Sequence, residues 1–355
     1  MRMTRKEGDR MRNRKKAYLF AAAALIILLG AGLGGYILSR PGTSIGPSQK
    51  VRFADGRSLT SAQLYVALEK GYFKGEGLEV TYLPFSSGKE ALDAVIGGTA
   101  DFATVSDFPL VSVMLKGTKI RIIATLTSTS AVTNIIGRKD RGISSAKDLK
   151  GKKIGVALGT NMEFILDTFL LFHRVPRDDV RLINVTPQGM ADAFRKGEID
   201  AAISWEPHLS ELRDQLGTKG VVLSGEEQKI YKQTWDVVAM EDFVQKNPET
   251  VKRVLRAFMR SDAFIQERRQ EARQMTARFL IVDTRALEPF WKSFAPNVSL
   301  GPLLIENLEN QTRWMMRSKL TDRKDMPNYL DYIYFEGLES VKPEAVTIVH
   351  PKVSR

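Results

Sequence analysis

The sequence predicts an α/β protein of two similar sheet units behind an N-terminal membrane segment. Three observations predict it. From Val51 onward, short apolar runs alternate with helical patterns, as they do when helices join the strands of a sheet. The alternation starts afresh at Thr133, so the pattern is written twice. Ahead of both units, Ala17 to Leu38 runs without a single charge.

That uncharged stretch has 22 residues. As a helix it would span about 33 Å, close to the roughly 30 Å of a bilayer core. Arg2, Arg5, Lys6, Arg10, Arg12, Arg14, Lys15 and Lys16 crowd its N-terminal side. The positive-inside rule therefore places residues 1–16 in the cytoplasm and the rest of the chain beyond the inner membrane, on its periplasmic or extracellular face. A cleaved signal peptide is the competing reading. The length of the segment and the lack of a small-residue cleavage site around Tyr36–Pro41 favour an uncleaved anchor over residues 17–38. Residues 39–50, rich in Gly, Pro and Ser, read as a linker.

Within the body, strands are expected at Val51–Ala54, Leu78–Pro84, Ala100–Val105 and Ile120–Thr127. Helices are expected between them at Ala62–Glu69, Lys89–Gly97 and Pro109–Lys116. The second series has strands at Thr133–Gly137, Lys152–Ala157, Val180–Val185, Ala201–Ser204 and Val221–Leu223, with helices at Met162–Phe172 and Met190–Lys196. Trp235–Met240 reads as a return path between the units. From Pro248 to about Arg317 the pattern is mostly helical.

Composition bounds the chemistry. The chain has no cysteine, which excludes disulfides, cysteine–zinc sites and a thiol nucleophile. Its three histidines, His173, His208 and His350, have no ligand-spaced partners. No nucleophile elbow, paired-histidine zinc motif or phosphate-binding loop is present, so neither an enzyme nor a cofactor is expected. Half of the formal charge of +12 sits in the first sixteen residues, and elsewhere both signs are interspersed. That distribution describes solvated helix faces rather than a nucleic-acid surface.

Helix-start chemistry recurs at the strand ends. Thr60–Gln63, Ser87–Glu90 and Thr160–Glu163 have the spacing of capping boxes. Ser106–Pro109 and Thr186–Pro187 pair a capping residue with proline. In open α/β sheets ligands bind beyond the carboxyl ends of the strands, so these helix starts are expected to turn free N–H groups into one crevice that accepts an anion. Trp205 can wall that crevice, or it can simply cap the core. Glu206 is a candidate partner for an amine. Asp107 and Asp236 are candidates for ligand contact, or for surface or hinge roles.

Several segments carry a family resemblance. Leu68–Val80 (LEKGYFKGEGLEV), Ile96–Ala103, Ser145–Val156 and Gly197–Ile203 followed by Trp205-Glu206-Pro207 occur in a characteristic order, with Pro248–Val251 and Met326–Tyr329 near the end. Together they resemble the nitrate/sulfonate/taurine-type substrate-binding proteins of ABC transporters, over roughly residues 51–348. The resemblance implies a type II periplasmic-binding-protein fold with a hinged cleft between two α/β lobes. Lobe one would be 51–128 with 240–350, and lobe two 129–239. It implies a solute-capturing role, delivering a sulfonate-, taurine- or nitrate-like molecule to a permease driven by an ATPase subunit. Carried over, the ligand-binding residues are Ser58, Ser87, Gly88, Ser106, Asp107, Thr127, Thr160, Asn161, Trp205 and Glu206. The chain departs from its relatives in the apparent transmembrane anchor, which leaves a membrane-anchored sensor as the alternative. A metabolic enzyme of the thiamine-pyrimidine-synthase type is the remoter one, since its cysteine-rich motif is missing.

Overall fold

The computed structural model describes residues 48–130, 133–223 and 231–351. The expected membrane segment at 17–38 lies outside them. Among the described residues no helix is long and apolar enough to cross a membrane.

Strands and helices alternate from the start of the described chain. The first series is β1 (Gln49–Asp55), α1 (Ala62–Glu69), α2 (Tyr72–Gly75), β2 (Leu78–Pro84), α3 (Gly88–Ile96), β3 (Phe102–Ser106), α4 (Asp107–Leu115) and β4 (Ile120–Thr129). The second is β5 (Thr133–Arg138), β6 (Lys153–Val156), α5 (Asn161–Phe172), β7 (Arg181–Asn184), α6 (Met190–Lys196), β8 (Ala201–Trp205), α7 (His208–Leu216) and β9 (Gly220–Leu223). The chain closes with β10 (Gln233–Met240), α8 (Glu241–Lys246), α9 (Pro248–Glu267), α10 (Arg269–Leu280), α11 (Glu288–Ser293), β11 (Pro296–Ser299), α12 (Pro302–Arg317) and α13 (Phe335–Val341).

Two mixed sheets result. The first runs β11-β4-β10-β3-β1-β2, and the second β7-β6-β8-β5-β9. In each, one strand runs against its neighbours near the middle: β10 is antiparallel to β3 and β4, and β5 to β8 and β9. The strand expected as a return path is therefore a central member of the first sheet. It also begins earlier than expected, at Gln233, inside the stretch 129–239 assigned to the second lobe. Its first residues, Gln233 and Thr234, are polar although buried, so no apolar run marks where the strand begins. β11 was not expected at all. Its four residues, Pro-Asn-Val-Ser, are too short to carry a period inside a helical tail.

The first core is built around stacked and edge-on phenylalanines. Phe53 lies 5.6 Å from Phe102 and 5.8 Å from Phe258, which reaches in from α9. That helix buries Val251, Val254, Leu255, Phe258 and Ile265, a three- and four-residue spacing that presents one apolar stripe to the sheet. In the second sheet the period-two rule separates neighbours. Ile135, Ala201 and Ile203 face α5 through Leu166 and Phe169, while Ile136 and Ala202 face α6 and α7 through Phe194 and Leu212.

Candidate functional site

The carboxyl ends of β1, β2, β3, β6 and β8 all open on one crevice, narrow within and continuous with solvent at its mouth. Because β10 runs the opposite way, its first residues reach the same place: Trp235 stands opposite Ser106. Ser58, Ser87, Gly88, Ser106, Thr160, Asn161 and Trp205 line the crevice, together with Gly56, Lys89, Pro109, Thr133, Met162, Gln233 and Trp235.

The first-sheet wall is fixed by a buried carboxylate. Asp55, at the end of β1, accepts hydrogen bonds from Ser61 Oγ (2.5 Å), Thr104 Oγ1 (2.5 Å), Tyr65 (2.8 Å) and Tyr82 (3.0 Å), and from the Arg57 N–H (2.9 Å). Ser61 Oγ in turn accepts from Trp235 Nε1 at 2.8 Å, so the carboxylate sets the indole through one hydroxyl. The ring lies over Gly88, where a Cβ would come within 3.2 Å of it. Gly56 has no room for a side chain either. A Cβ there would fall 2.2 Å from the Gly88 nitrogen, so the loops after β1 and β2 touch backbone to backbone.

Helix starts point in from both sheets. Ser87 caps α3 by accepting from the Glu90 N–H at 3.2 Å. Thr160 caps α5 by accepting from the Met162 N–H at 3.3 Å and donates to the Ala157 carbonyl at 2.7 Å. Each helix start carries partial positive charge and unpaired N–H groups, which favour an anion. The capping boxes themselves are incomplete. Glu90 turns to Ser86, and Glu163 to the Gly159 N–H. Thr60 caps nothing: Ser58 caps the turn there, and the Gln63 amide donates to the Leu126 carbonyl instead. Ser106 precedes α4 without a side-chain bond. The complete box is at Ser145 and Asp148, on the surface.

Four candidate contacts are not among the residues that line the crevice. Glu206 accepts from the Ser210 N–H (3.0 Å) and hydroxyl (2.7 Å) and pairs with Arg213, so it caps α7 and is not open to an amine. Asp107 is fully buried and accepts from Tyr231, the Thr234 N–H (3.1 Å) and Asn307 Nδ2 (2.7 Å). Thr127 donates to the Ala295 carbonyl at 3.2 Å, toward β11. Asp236 is buried too, between the hydroxyls of Thr125 (2.5 Å) and Thr234 (2.8 Å). Burial pushes its carboxyl up to about 8, and burial raises Asp107 as well.

Two reasons account for four of the missed residues. Gln233 and Trp235 reach the crevice only through the antiparallel course of β10. Lys89 and Met162 are each the second residue of a capped helix, and that nearness to a cap was a usable signal. Gln233 also ties the lobes, through a side-chain hydrogen bond to Asn161. Among the described residues no cluster of three His, Cys, Asp or Glu side chains could hold a metal ion.

The family model described as "NMT1/THI5 like" matches residues 59–272. A protein of Bacillus subtilis (strain 168) named for aliphatic-sulfonate binding is 26% identical over 328 residues, which is 91% of this chain and 96% of that one. The taurine-binding periplasmic protein of Escherichia coli (strain K12) is 27% identical over 184 residues, 51% of this chain and 56% of its own. Among solved structures, the alkanesulfonate-binding protein of Xanthomonas axonopodis pv. citri, bound to MOPS, superposes with a TM-score of 0.72 at 17% identity. That match covers 81% of this chain and 99% of the other. It shows a shared periplasmic-binding-protein-like fold.

Proposed function

The chain belongs to the NMT1/THI5 like family, and from that premise we propose that it is the solute-binding component of an ABC importer. It captures a small anionic or zwitterionic solute of the sulfonate, taurine or nitrate kind between its lobes and hands it to a permease with its ATPase subunit. One observation carries the reading: capped helix starts from both sheets, at Ser87 and Thr160, line a single crevice walled by Trp205 and Trp235. Free N–H groups supply the anion's hydrogen bonds, and the two indoles exclude water around it. The names of the relatives support the sulfonate and taurine classes. Residues 17–38 would tether the lobes to the outer face of the inner membrane. That tether also favours a second reading, a ligand sensor of the same fold that docks no permease.

The mechanism follows from the division of the crevice. Ser58, Ser87, Gly88 and Ser106 come from the first sheet's strand ends and helix starts, and Thr160, Asn161 and Trp205 from the second's. Only with the lobes together do both sets meet one solute, so binding favours closure. Neither set supplies a nucleophile with an adjacent base, which supports capture rather than catalysis.

Thermal unfolding of the full-length chain in detergent tests this against ethanesulfonate, taurine, nitrate, carboxylates, amino acids and pyrimidines. A ligand of the folded state stabilises by about 2.7 kcal/mol at a hundredfold excess over its Kd. An anionic class is expected to raise the midpoint. A rise with neutral or cationic compounds alone would falsify the reading.

A further inference from the structure

We propose that Lys89 reads the charge of the solute, and that the crevice therefore takes a simple organosulfonate anion in preference to an aminosulfonate. This rests on the crevice being the solute site. Among the described residues, Lys89 is the one charged side chain that lines it. Its position is unfavourable for the helix it belongs to. It is the second residue of α3, where the helix end is already partly positive. Its partner Asp93, at 2.7 Å, gives little in return. The two side chains are 44% and 51% exposed, and lysine ahead of the acid is the weaker order along a helix. Such a pair gives way to an anion that can reach both the ammonium and the helix start.

The lysine also crosses between the lobes. A Cβ built on Gly159 would meet Lys89 Cε at 3.4 Å. Gly159 immediately precedes Thr160, the cap of α5. The lysine stem therefore lies where the loop after β2 meets the loop after β6. An anion held there would contact both lobes, so charge recognition and closure become one event.

An ammonium on the solute meets the opposite situation. Glu206 is engaged by Ser210 and Arg213, and Asp107 by Tyr231, Thr234 and Asn307. Among the described residues no Asp or Glu lines the crevice. An amine would lose its hydration, find Lys89 and positive helix ends beside it, and gain no carboxylate.

Ethanesulfonate and taurine differ by one amine, and calorimetric titration of the full-length chain with each tests the inference. Ethanesulfonate is expected to bind at least about 10-fold tighter. Lys89→Met should weaken ethanesulfonate by about 10-fold and flatten its dependence on salt, while the ligand-free unfolding midpoint stays put. Lys89→Arg should keep most of the affinity, and Asp93→Asn should keep or improve it. Taurine binding as tightly as ethanesulfonate overturns the inference. So does a Lys89→Met variant with unaltered affinity and salt slope. Both of those results leave the crevice standing as an anion site. If the unaltered chain binds neither sulfonate, the crevice assignment and the inference fall together.

Discussion

Asp236 shows how much a single buried carboxyl group can do at the root of a cleft. Its pKa is pushed up to about 8 by loss of water, with Asp107 nearby adding repulsion and the Thr125 and Thr234 hydroxyls pulling the other way. In the unfolded chain it titrates near its ordinary 3.8. Between those two values the folded state holds a proton that the unfolded state has released. Stability therefore falls as pH rises through that window, by up to roughly 1.4 kcal/mol per pH unit for this group. Asp262 adds a narrower window of the same sign, its carboxyl raised to about 6 by burial. The variant Asp236→Asn is expected to gain stability relative to the parent as pH climbs from about 5 to about 8. Urea unfolding across that range checks it, and a difference that stays flat with pH sinks the account. At this scale the sequence was partly legible. Ser87 and Thr160 stood out because capping is local chemistry. Glu206 misled because its partners lie one and two turns along a helix that begins just after it, and a carboxylate there caps before it greets any ligand.

The elements that shape the crevice depend on a few exact fits. Thr160 holds the first turn of α5 at both ends of its hydroxyl, so Thr160→Ala should cost about 1 kcal/mol in unfolding free energy. It should weaken solute binding as well, because the helix start it orders faces the crevice. Gly56→Ala should cost more, roughly 1–3 kcal/mol, since the added carbon meets the Gly88 backbone and not a side chain that can swing away. A Gly56→Ala protein with unchanged stability and binding would show that the loops after β1 and β2 have slack. Most elements were readable, some from hydrophobic period and others, such as β3 and β8, as short buried apolar runs between turn signals. The start of β10 and the whole of β11 were not. The first opens on the polar residues Gln233 and Thr234, and the second is four residues long. Their places depend on distant partners that no local window contains.

Across the whole molecule, the two lobes are joined by more than the crevice. Trp314 of α12 donates to Asp167 of α5 at 3.2 Å, and Arg177 holds the same carboxylate at 2.9 Å. Phe164 of α5 packs edge-on against Trp314 at 5.7 Å, and Phe108 of α4 completes the cluster, 6.4 Å from Phe164 and 5.6 Å from Trp314. Replacing the indole in Trp314→Phe keeps the ring stack and removes the hydrogen bond. If this contact supports the apposed lobes, solute affinity should drop about 3- to 10-fold with little loss of stability. Titration calorimetry beside thermal unfolding separates the two. An unchanged affinity would confine the contact to a packing role. The two-unit organisation was legible because the pattern of strands restarts at Thr133. The point of return was not, because the chain rejoins the first sheet at Gln233 through a strand that runs against its neighbours.

That returning strand has a consequence for how the protein is made. β3 and β4 are synthesised early, yet neither pairs with the other; each waits for β10 to enter between them. Until a ribosome has passed Met240, the first sheet has two open edges in its middle, while the second sheet, drawn from one uninterrupted stretch, can already close. The nascent chain therefore finishes its second lobe before its first. For that interval its most apolar strands are exposed to other chains, and the rate at which β10 arrives sets how long the hazard lasts.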